Sequence, residues 1–263
     1  MTPEWPALVA FDLDDTLAPS KSPLPAPMAK ALTRLLATTP VAVISGATFD
    51  QFARQVVRPL SALPGRRLDR LWILATCGTQ CFRYIDGRWR AVFSELLDER
   101  ERRAAMSALE SSAKRLELWP DRSHGDVLED RRSQVTFSAL GQDAPLALKL
   151  VWDPDGTKKE RLRDEVTPLV PDLEVRIGGT TSIDITRRGR DKAFGMRRLM
   201  AETGIAPDDI LFFGDRLEPG GNDHPVLSTG VRCASVRGWE DTLGRIGDLD
   251  GRSGGRLPEV RDR

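Results

Sequence analysis

The stretch Leu8-Val9-Ala10-Phe11-Asp12-Leu13-Asp14-Asp15-Thr16 carries four apolar residues, followed by three carboxylates within four positions. A short apolar run of this kind is typical of a β-strand that is buried on both faces. Three carboxylates placed so close together repel each other unless a cation offsets their charge. A bound divalent metal is the simplest source of that charge, so this stretch predicts a strand that ends at a metal site.

Three further apolar runs predict strands of the same buried type: Val41–Ile44, Leu71–Ala75 and Ile210–Phe213. Segments with helical periodicity lie between them, including one that begins near Ala26 and one that runs from Asp191 to Gly204. This alternation of strands and helices predicts a parallel α/β sheet. In such a sheet, ligands bind beyond the carboxyl ends of the strands.

The middle of the chain has a different pattern, which predicts a small antiparallel α+β unit inserted into the parallel domain. An Asp86-Gly87 turn predicts a hairpin over Phe82–Phe93, and a long charged helix is expected over Ser94–Leu118. The remaining predicted elements are alternating strands and one helix: Ser133–Leu140, Leu173–Ile177, Ile183–Ile185 and the helix Lys158–Val170. We therefore expect a core over residues 1–81 and 187–263, an inserted unit over 82–186, and a loose tail from Gly247.

The overall composition limits which partners we expect the chain to bind and in which compartment we expect it. Lysine and arginine together number 39, as do aspartate and glutamate, so no net charge attracts nucleic acid or an anionic membrane. No apolar stretch approaches the length that spans a bilayer, and the three cysteines lack the paired spacing of a zinc site. We therefore expect a soluble, cytoplasmic chain with reduced thiols that binds neither nucleic acid nor membranes.

Polar residues follow two of the other predicted strands. Asp215 comes after the strand over Ile210–Phe213, and Asp223 closes the nearby segment Gly220-Gly221-Asn222-Asp223. Such hard carboxylate oxygens suit magnesium rather than zinc. The segment Ser45-Gly46-Ala47-Thr48 offers hydroxyl and backbone N–H groups that suit phosphoryl oxygens, and Lys192 adds a positive charge at a predicted helix start.

In this order, the polar segments resemble the motifs of the haloacid dehalogenase superfamily. The four motifs are Asp12-Leu13-Asp14-Asp15-Thr16, Ser45, Lys192, and Gly214-Asp215 with Gly221-Asn222-Asp223. The inserted unit is similar to the C2 cap of subclass IIB. The resemblance therefore implies an α/β fold with a Rossmann-like core, a parallel sheet and an inserted α+β cap of the C2B type.

The resemblance also implies a covalent route that depends on Mg²⁺. Asp12 would attack phosphorus to form an aspartyl phosphate, and Asp14 would act first as the acid and then as the base. Ser45 and Lys192 would hold phosphoryl oxygens, with Gly46 as a further substrate contact. The Mg²⁺ ligands would be Asp12, the backbone carbonyl of Asp14, and Asp215, with Asp223 as a ligand or as a residue that orients one.

Within the superfamily, the chain resembles the eukaryotic-type phosphomannomutases and their bacterial phosphatase-like relatives. The segments that carry this likeness are Phe212-Phe213-Gly214-Asp215, Pro219-Gly220-Gly221-Asn222-Asp223-His224, Gly178-Gly179, Ser182-Ile183-Asp184-Ile185 and Asp191-Lys192. The resemblance implies that Ser182 and Asp184 contact a sugar and that Arg131 binds its remote phosphate. Gln142 and Lys149 stand where the mutases carry two further arginines. The loss of bidentate phosphate clamps should harm a mutase more than a hydrolase.

We therefore predict a magnesium-dependent phosphatase that hydrolyses a small phosphorylated metabolite, a sugar phosphate by this resemblance. A phosphomannomutase-type phosphosugar mutase is the enzymatic alternative. A non-catalytic phospho-ligand-binding domain is the alternative of another class, although such a domain would be expected to have lost Asp12, Asp14 or Asp215, and all three are present. Because related caps sometimes dimerise, a homodimer formed through the cap is also compatible with the resemblance.

Overall fold

The computed structural model describes residues 5–251 of the chain. The strands are β1 (Leu8–Asp12), β2 (Val41–Ile44), β3 (Leu71–Ala75), β4 (Gln80–Ile85), β5 (Arg88–Ser94), β6 (Leu128–Asp130), β7 (Gln134–Ser138), β8 (Leu173–Ile177), β9 (Ser182–Arg187), β10 (Ile210–Gly214) and β11 (Arg232–Ser235). The α-helices are α1 (Ala26–Thr38), α2 (Phe49–Phe52), α3 (Arg58–Ser61), α4 (Glu99–Arg115), α5 (Leu146–Trp152), α6 (Thr157–Val166), α7 (Lys192–Thr203) and α8 (Trp239–Gly251). None of the helices in this described part is both long enough and apolar enough to cross a bilayer.

The chain divides into two compact units. Unit 1 holds the residues up to Ser94 and those from Arg190 onward, and unit 2 holds Glu95–Gly189. The sheet of unit 1 has seven strands in the order β11-β10-β1-β2-β3-β4-β5. Its first five strands are parallel, and the β4–β5 hairpin extends the edge in antiparallel orientation. The predicted parallel α/β core is therefore confirmed, with the four predicted strands as β1, β2, β3 and β10.

Alternate residues of β1 pack into apolar clusters on opposite faces of the sheet. Phe11 belongs to a cluster with Leu32 and Leu35 of α1. Leu8 belongs to the other cluster, with Leu199 of α7. Every residue of β1 is buried, as expected of a strand covered on both faces. Because α7 begins at Lys192, this packing also fixes the position of Lys192 relative to the sheet.

The hairpin turns at Asp86 and Gly87, whose φ angles of 50° and 78° are left-handed, and this confirms the predicted turn. The prediction places the hairpin in the inserted unit, with the boundary at residue 82. In the structure β4 pairs with β3, so the hairpin belongs to the core sheet and unit 2 begins at Glu95. The connection between β3 and β4 is only four residues long, which suits an antiparallel neighbour and not a change of unit.

Unit 2 contains a four-stranded antiparallel sheet in the order β6-β7-β9-β8, so the predicted inserted α+β unit is confirmed. One face packs against α4 and α6 through apolar residues of strands and helices, among them Leu109, Val135, Phe137, Leu162, Val166, Ile183 and Ile185. The other face is polar. Across β7 and β9 the register pairs Gln134 with Thr186, Thr136 with Asp184, and Ser138 with Ser182.

The charged helix predicted over residues 94–118 is shorter in the structure, since α4 begins at Glu99 and ends at Arg115. Asp98 is the N-cap of α4. Its carboxylate accepts the N–H of Glu101 at 2.8 Å, and the Glu101 carboxylate accepts the N–H of Asp98 at 2.7 Å. This reciprocal capping box satisfies two donors at the helix start, and it was not considered in the sequence interpretation.

The loose tail predicted from Gly247 is wrong in its first part, because α8 continues to Gly251. Ile246 and Leu249 of this helix are buried in the core of unit 1. The rest of the predicted tail, residues 252–263, lies outside the described residues. The strand β11 was also missed, because only its two central residues, Cys233 and Ala234, are apolar.

Replacing Glu101 by alanine should lower the free energy of unfolding by about 1–2 kcal/mol, because it removes one half of the capping box. The same carboxylate also accepts two hydrogen bonds from the guanidinium of Arg187 in β9, at 3.1 and 2.8 Å. Those bonds hold the pKa of Glu101 below its ordinary value. Its contribution to stability is therefore present above the ordinary glutamate pKa and should fade as pH falls below about 4.

Urea unfolding followed by circular dichroism at pH 7 and pH 3 measures this difference. The matched control is E110A in the same helix, because Glu110 forms only an exposed pair with Lys114 and should contribute less than about 0.5 kcal/mol. Equal effects of E101A and E110A at pH 7 would contradict the expectation.

Candidate active site

Three adjacent strands of the core sheet end side by side. Asp12, the last residue of β1, lies opposite Ile44 of β2, and Phe11 lies opposite Phe213 of β10. Ser45 directly follows β2, and Asp215 directly follows β10. Three of the predicted site residues therefore lie at one edge of the sheet, where parallel α/β proteins bind their ligands.

Three aspartates converge at this edge. One carboxylate oxygen from each of Asp12, Asp215 and Asp223 lies within 4.8 Å of the other two. Asp12 is 3% exposed and Asp223 is fully buried, while Asp215 is half-buried. The sequence places these residues up to 211 positions apart, so their meeting is a product of the strand order.

The loop between Asp215 and Asp223 folds back on itself, so the Asp223 carboxylate lies at the end of β10. The N–H of Asp223 donates to the carbonyl of Arg216 at 3.1 Å, and the N–H of Arg216 donates to Asp223 Oδ2 at 3.2 Å. A Cβ atom on Gly214 would lie 2.6 Å from Asp223 Oδ2, and one on Gly221 would lie 2.1 Å from the carbonyl oxygen of Arg216. Both glycines are therefore required by close approach.

Lys192 is the first residue of α7, and Asp191 caps that helix by accepting the N–H of Phe194 at 2.9 Å. The Lys192 side chain is 1% exposed. The ammonium donates to Oδ1 of Asp12 and, at 2.5 Å, to Oδ1 of Asp223. A buried ammonium is tolerated only when it is paired in this way, so Lys192 joins the end of β1 to the loop after β10.

The charges of this cluster do not balance. Burial raises the pKa of Asp12 well above its ordinary value; Lys192 opposes this shift and Asp223 adds to it. Burial and the Asp223 carboxylate also raise the pKa of Asp215. Burial disfavours the charged form of Lys192, but the carboxylates of Asp12 and Asp223 raise its pKa above the ordinary value. One ammonium therefore faces three carboxylates, and burial disfavours the ionised forms of Asp12 and Asp215.

This donor set fits a hard divalent cation. The cluster formed by the described residues offers carboxylate oxygens only, which is the ligand type that Mg²⁺ binds in proteins. A bound dication would offset the charge that Lys192 leaves uncompensated.

The carboxylate of Asp14 is not part of this cluster. Its Oδ1 accepts the N–H of Lys21 at 2.6 Å, and Oδ1 of Asp15 accepts the N–H of Ser20 at 3.1 Å. Burial raises the pKa of Asp14, while the hydrogen bond from Lys21 opposes the shift. Asp14 lies two residues beyond the end of β1 and is held by the turn that follows the strand.

Ser45 and Gly46 form a short turn at the end of β2. The Ser45 hydroxyl is buried and accepts the N–H of Ala47 at 3.2 Å, and as an acceptor in this bond it can still donate its own proton. A Cβ atom on Gly46 would lie 3.8 Å from the sulfur of Cys77. The turn therefore abuts the segment that follows β3.

In unit 2, the structure places Arg131, Gln142 and Lys149 in one partly buried polar network. The Arg131 guanidinium donates to Glu129 Oε2 at 2.6 Å, and the Gln142 side-chain amide donates to the same oxygen. Lys149 Nζ donates to the backbone carbonyl of Gln142 at 2.7 Å. The charge of Arg131 is therefore offset by Glu129 within the fold.

Ser182 and Asp184 lie on the polar face of the same sheet. Asp184 Oδ1 accepts the hydroxyl of Thr136 at 2.7 Å, and Thr136 in turn accepts the side-chain amide of Gln134 at 2.9 Å. The backbone of Gly178 approaches closely, since a Cβ there would lie 2.7 Å from Asp184 Oδ2. The orientation of the Asp184 carboxylate is thus fixed by its neighbours.

Sequence reasoning did not single out three residues that contact the predicted site residues. The Thr16 hydroxyl donates to Asp215 Oδ1 at 3.3 Å, and its place in the first motif could have indicated this. Thr136 could have been found from the polar alternation of its strand. Glu129 lies in the three-residue strand β6, and no signal in the sequence pointed to it.

The sequence is similar to known phosphomannomutases. The family model of eukaryotic phosphomannomutase matches residues 121–249, just under half of the chain. A probable phosphomannomutase from Caenorhabditis elegans is 25% identical over 248 residues, which cover 89% of this chain and 92% of that protein. A phosphomannomutase from Spinacia oleracea is 24% identical over 248 residues, which cover 90% of this chain and 94% of that protein.

Solved structures with the same fold include a nucleotidase and a sugar-phosphate phosphatase. The IMP-bound, N-terminally truncated IMP-nucleotidase of Plasmodium falciparum superposes with a TM-score of 0.70 at 13% identity, covering 94% of this chain and 68% of that one. The trehalose-6-phosphate phosphatase of Aspergillus fumigatus gives a TM-score of 0.55 at 17% identity, covering 93% and 92%. The chain therefore has the same fold as these enzymes, and its sequence resembles those of the eukaryotic phosphomannomutases.

Proposed function

We propose that this protein is a magnesium-dependent phosphatase that hydrolyses a small phosphorylated metabolite, a sugar phosphate, through an aspartyl phosphate. The observation that carries the proposal is the position of the Asp12 carboxylate. It lies at a strand end, in contact with the buried ammonium of Lys192 and in one cluster with Asp215 and Asp223. Such a constellation suits a nucleophile whose negative charge must be stabilised while it attacks an anionic substrate.

In the first step, an oxygen of Asp12 attacks phosphorus, and the bond from phosphorus to the leaving oxygen breaks. Asp14 gives its proton to that oxygen, so the alcohol leaves neutral. The raised pKa of Asp14 supports this role, because a larger fraction of its carboxyl group is protonated near neutrality than for an ordinary aspartate. The Ser45 hydroxyl, the Gly46 backbone and the Lys192 ammonium would hold the phosphoryl oxygens.

In the second step, Asp14, now ionised, takes a proton from water, and the water oxygen attacks the phosphorus of the aspartyl phosphate. The bond between phosphorus and the Asp12 oxygen breaks, which releases inorganic phosphate and restores both carboxyl groups to their starting states. Over the two steps, Asp14 therefore gives up one proton and regains one.

The residues proposed to hold Mg²⁺ are Asp12, the backbone carbonyl of Asp14, and Asp215, with Asp223 as a further ligand or as a residue that orients the others. When bound, the cation would offset the negative charge of the nucleophile and of the phosphoryl oxygens. Asp223 also accepts from Lys192 and from the backbone of Arg216, which supports an orienting role.

The charge of unit 2 supports hydrolysis over mutase chemistry. A mutase must hold a second phosphate group in either orientation of its substrate, which calls for cations that are free to clamp it. Here the Arg131 guanidinium is paired with Glu129, and Gln142 is a neutral donor to the same carboxylate. We propose that Arg131, Ser182 and Asp184 contact the leaving group and that this group is uncharged.

Two alternatives remain defined by specific observations. A phosphosugar mutase is favoured by the names of the sequence relatives, which are phosphomannomutases. A non-catalytic phospho-ligand-binding domain would need none of the acid–base residues, yet Asp12, Asp14 and Asp215 are all present.

The wild-type chain should release phosphate from an aryl phosphate in the presence of Mg²⁺, and D12N should lower kcat by at least about a thousandfold because it removes the nucleophile. Continuous release of the aryl alcohol measures the rate. The matched control is D15N, because Asp15 is exposed and adopts a left-handed φ of 61° that asparagine tolerates. A D12N variant as active as D15N would exclude Asp12 as the nucleophile, and an inactive wild type would favour a binding domain.

Mg²⁺ should raise the thermal midpoint of unfolding, since a ligand that binds only the folded state at 100 times its Kd adds about 2.7 kcal/mol. The shift should be lost in D215N and kept in D69N, whose aspartate lies in an exposed pair with Arg67. Because the pKa values of Asp12 and Asp215 are raised, protons should displace the cation at a higher pH than from ordinary carboxylates. Differential scanning calorimetry between pH 5 and 8 tests both points, and an equal shift in D215N would argue against this site.

E129Q should strengthen inhibition by a hexose 1,6-bisphosphate by about fivefold or more, because it releases the Arg131 charge for a second phosphate. Inhibition constants are measured against aryl phosphate hydrolysis. The control is E174Q in the same sheet, which frees the half-exposed Arg176. Equal inhibition constants in both variants would refute the role given to Glu129.

Conversion of mannose 1-phosphate to mannose 6-phosphate without phosphate release would favour the mutase.

A further inference from the structure

Three consecutive residues after β3 have left-handed backbone conformations. The φ angles of Thr76, Cys77 and Gly78 are 48°, 56° and 83°. This conformation is unfavourable for threonine and cysteine, because their Cβ atoms crowd the following carbonyl oxygen. Such residues persist only where the surrounding structure imposes the conformation, so the neighbours of this turn indicate what it does.

On one side, the turn is hydrogen-bonded to the Ser45–Ala47 turn. The N–H of Cys77 donates to the carbonyl of Ser45 at 2.8 Å, and the N–H of Thr76 donates to the carbonyl of Ala47 at 2.9 Å. These two bonds hold the backbone on either side of Gly46. The position of the Ser45 hydroxyl is therefore tied to the left-handed turn.

On the other side, the turn contacts the first turn of α7 through backbone atoms. A Cβ on Gly78 would lie 2.3 Å from the Cα of Gly195, and a Cβ on Gly195 would lie 2.9 Å from the carbonyl oxygen of Cys77. Gly195 is three residues after Lys192 in the same helix. The distance between the turn and the start of α7 thus leaves no room for a side chain.

The turn is also fixed from within. The hydroxyls of Thr76 and Thr79 lie 2.6 Å apart, and the Thr79 hydroxyl donates to the Thr76 carbonyl at 2.8 Å. Both threonine side chains are fully buried. The turn is therefore a rigid body with one contact to the end of β2 and one to α7.

We propose that the turn Thr76–Gly78 positions the two groups that hold the phosphoryl oxygens, with Cys77 as the positioning residue. Its left-handed backbone sets the Ser45 hydroxyl and the Lys192 ammonium at a fixed separation. The inference rests on the proposed function, because it assigns the turn a part in phosphoryl binding. What matters at residue 77 is the backbone conformation and not the thiol.

Substitutions at Cys77 that differ in tolerance of the left-handed conformation test this inference. C77G accepts the conformation freely and should keep kcat/KM within about threefold of wild type. C77V opposes it, because a β-branched side chain rarely adopts positive φ, and should lower kcat/KM about 100-fold. The inhibition constant of inorganic phosphate should rise about tenfold in C77V, since this constant reports on the phosphoryl site without the chemical step.

The matched control is D86V in the turn between β4 and β5. Asp86 is an exposed residue of unit 1 with a φ of 50°, so valine introduces the same backbone conflict away from the site. D86V should lower the thermal midpoint while leaving KM and the phosphate inhibition constant within about threefold of wild type. A purely structural role for Cys77 predicts that C77V behaves like D86V.

The outcomes distinguish this inference from the proposed function. An active wild type in which C77V and D86V have equal phosphate inhibition constants, or in which C77G loses as much activity as C77V, overturns the inference alone. A wild type that releases no phosphate overturns the proposed function and the inference with it. If C77V does not fold, C77A decides by the same measurement: it should bind phosphate at least about threefold more weakly than C77G, and equal binding overturns the inference.

Discussion

The buried ammonium of Lys192 is the interaction on which the rest of the site depends. It contacts Asp12 and Asp223, and all three side chains are nearly or fully buried. Removing Lys192 would leave the two buried carboxylates without their ammonium partner, which costs several kcal/mol in proteins generally. The pair of contacts therefore fixes the end of β1, the loop after β10 and the start of α7 relative to one another. The geometry of the candidate site and its local stability are therefore properties of the same three groups.

Much of the core fold could be predicted from the sequence, because strands buried on both faces leave a continuous apolar run. The runs at Leu8, Val41, Leu71 and Ile210 all begin strands of the sheet. The edge of the sheet was harder to predict. The β4–β5 hairpin is half-exposed, so its pattern resembles that of the strands in unit 2, and its pairing with β3 depends on tertiary contacts. The start of α4 was misplaced for a different reason, since its capping box consists of polar residues in an already charged segment.

For the site, the sequence indicated which residues follow strands, and the structure adds which of them touch. Asp12, Asp215 and Asp223 form one cluster, whereas the Asp14 carboxylate turns to the N–H of Lys21. Pairwise contacts of this kind depend on loop conformation, which a pattern of residue types does not specify. Glu129 illustrates the limit most clearly, because its importance lies in the charge of Arg131 and no periodicity marks it. The same holds for the left-handed residues Thr76 and Cys77, whose side chains favour other conformations.

The insertion of unit 2 separates Asp12 from Lys192 by 180 positions along the chain. During synthesis, β1 therefore leaves the ribosome long before its neighbour β10 or the lysine that neutralises its last residue. Until then the nascent first segment exposes an apolar strand edge, which favours association with other chains or with chaperones. Unit 2 is a compact unit of consecutive residues, Glu95–Gly189, and can fold in that interval. The order of translation thus makes the aspartate cluster one of the last parts of the molecule to form.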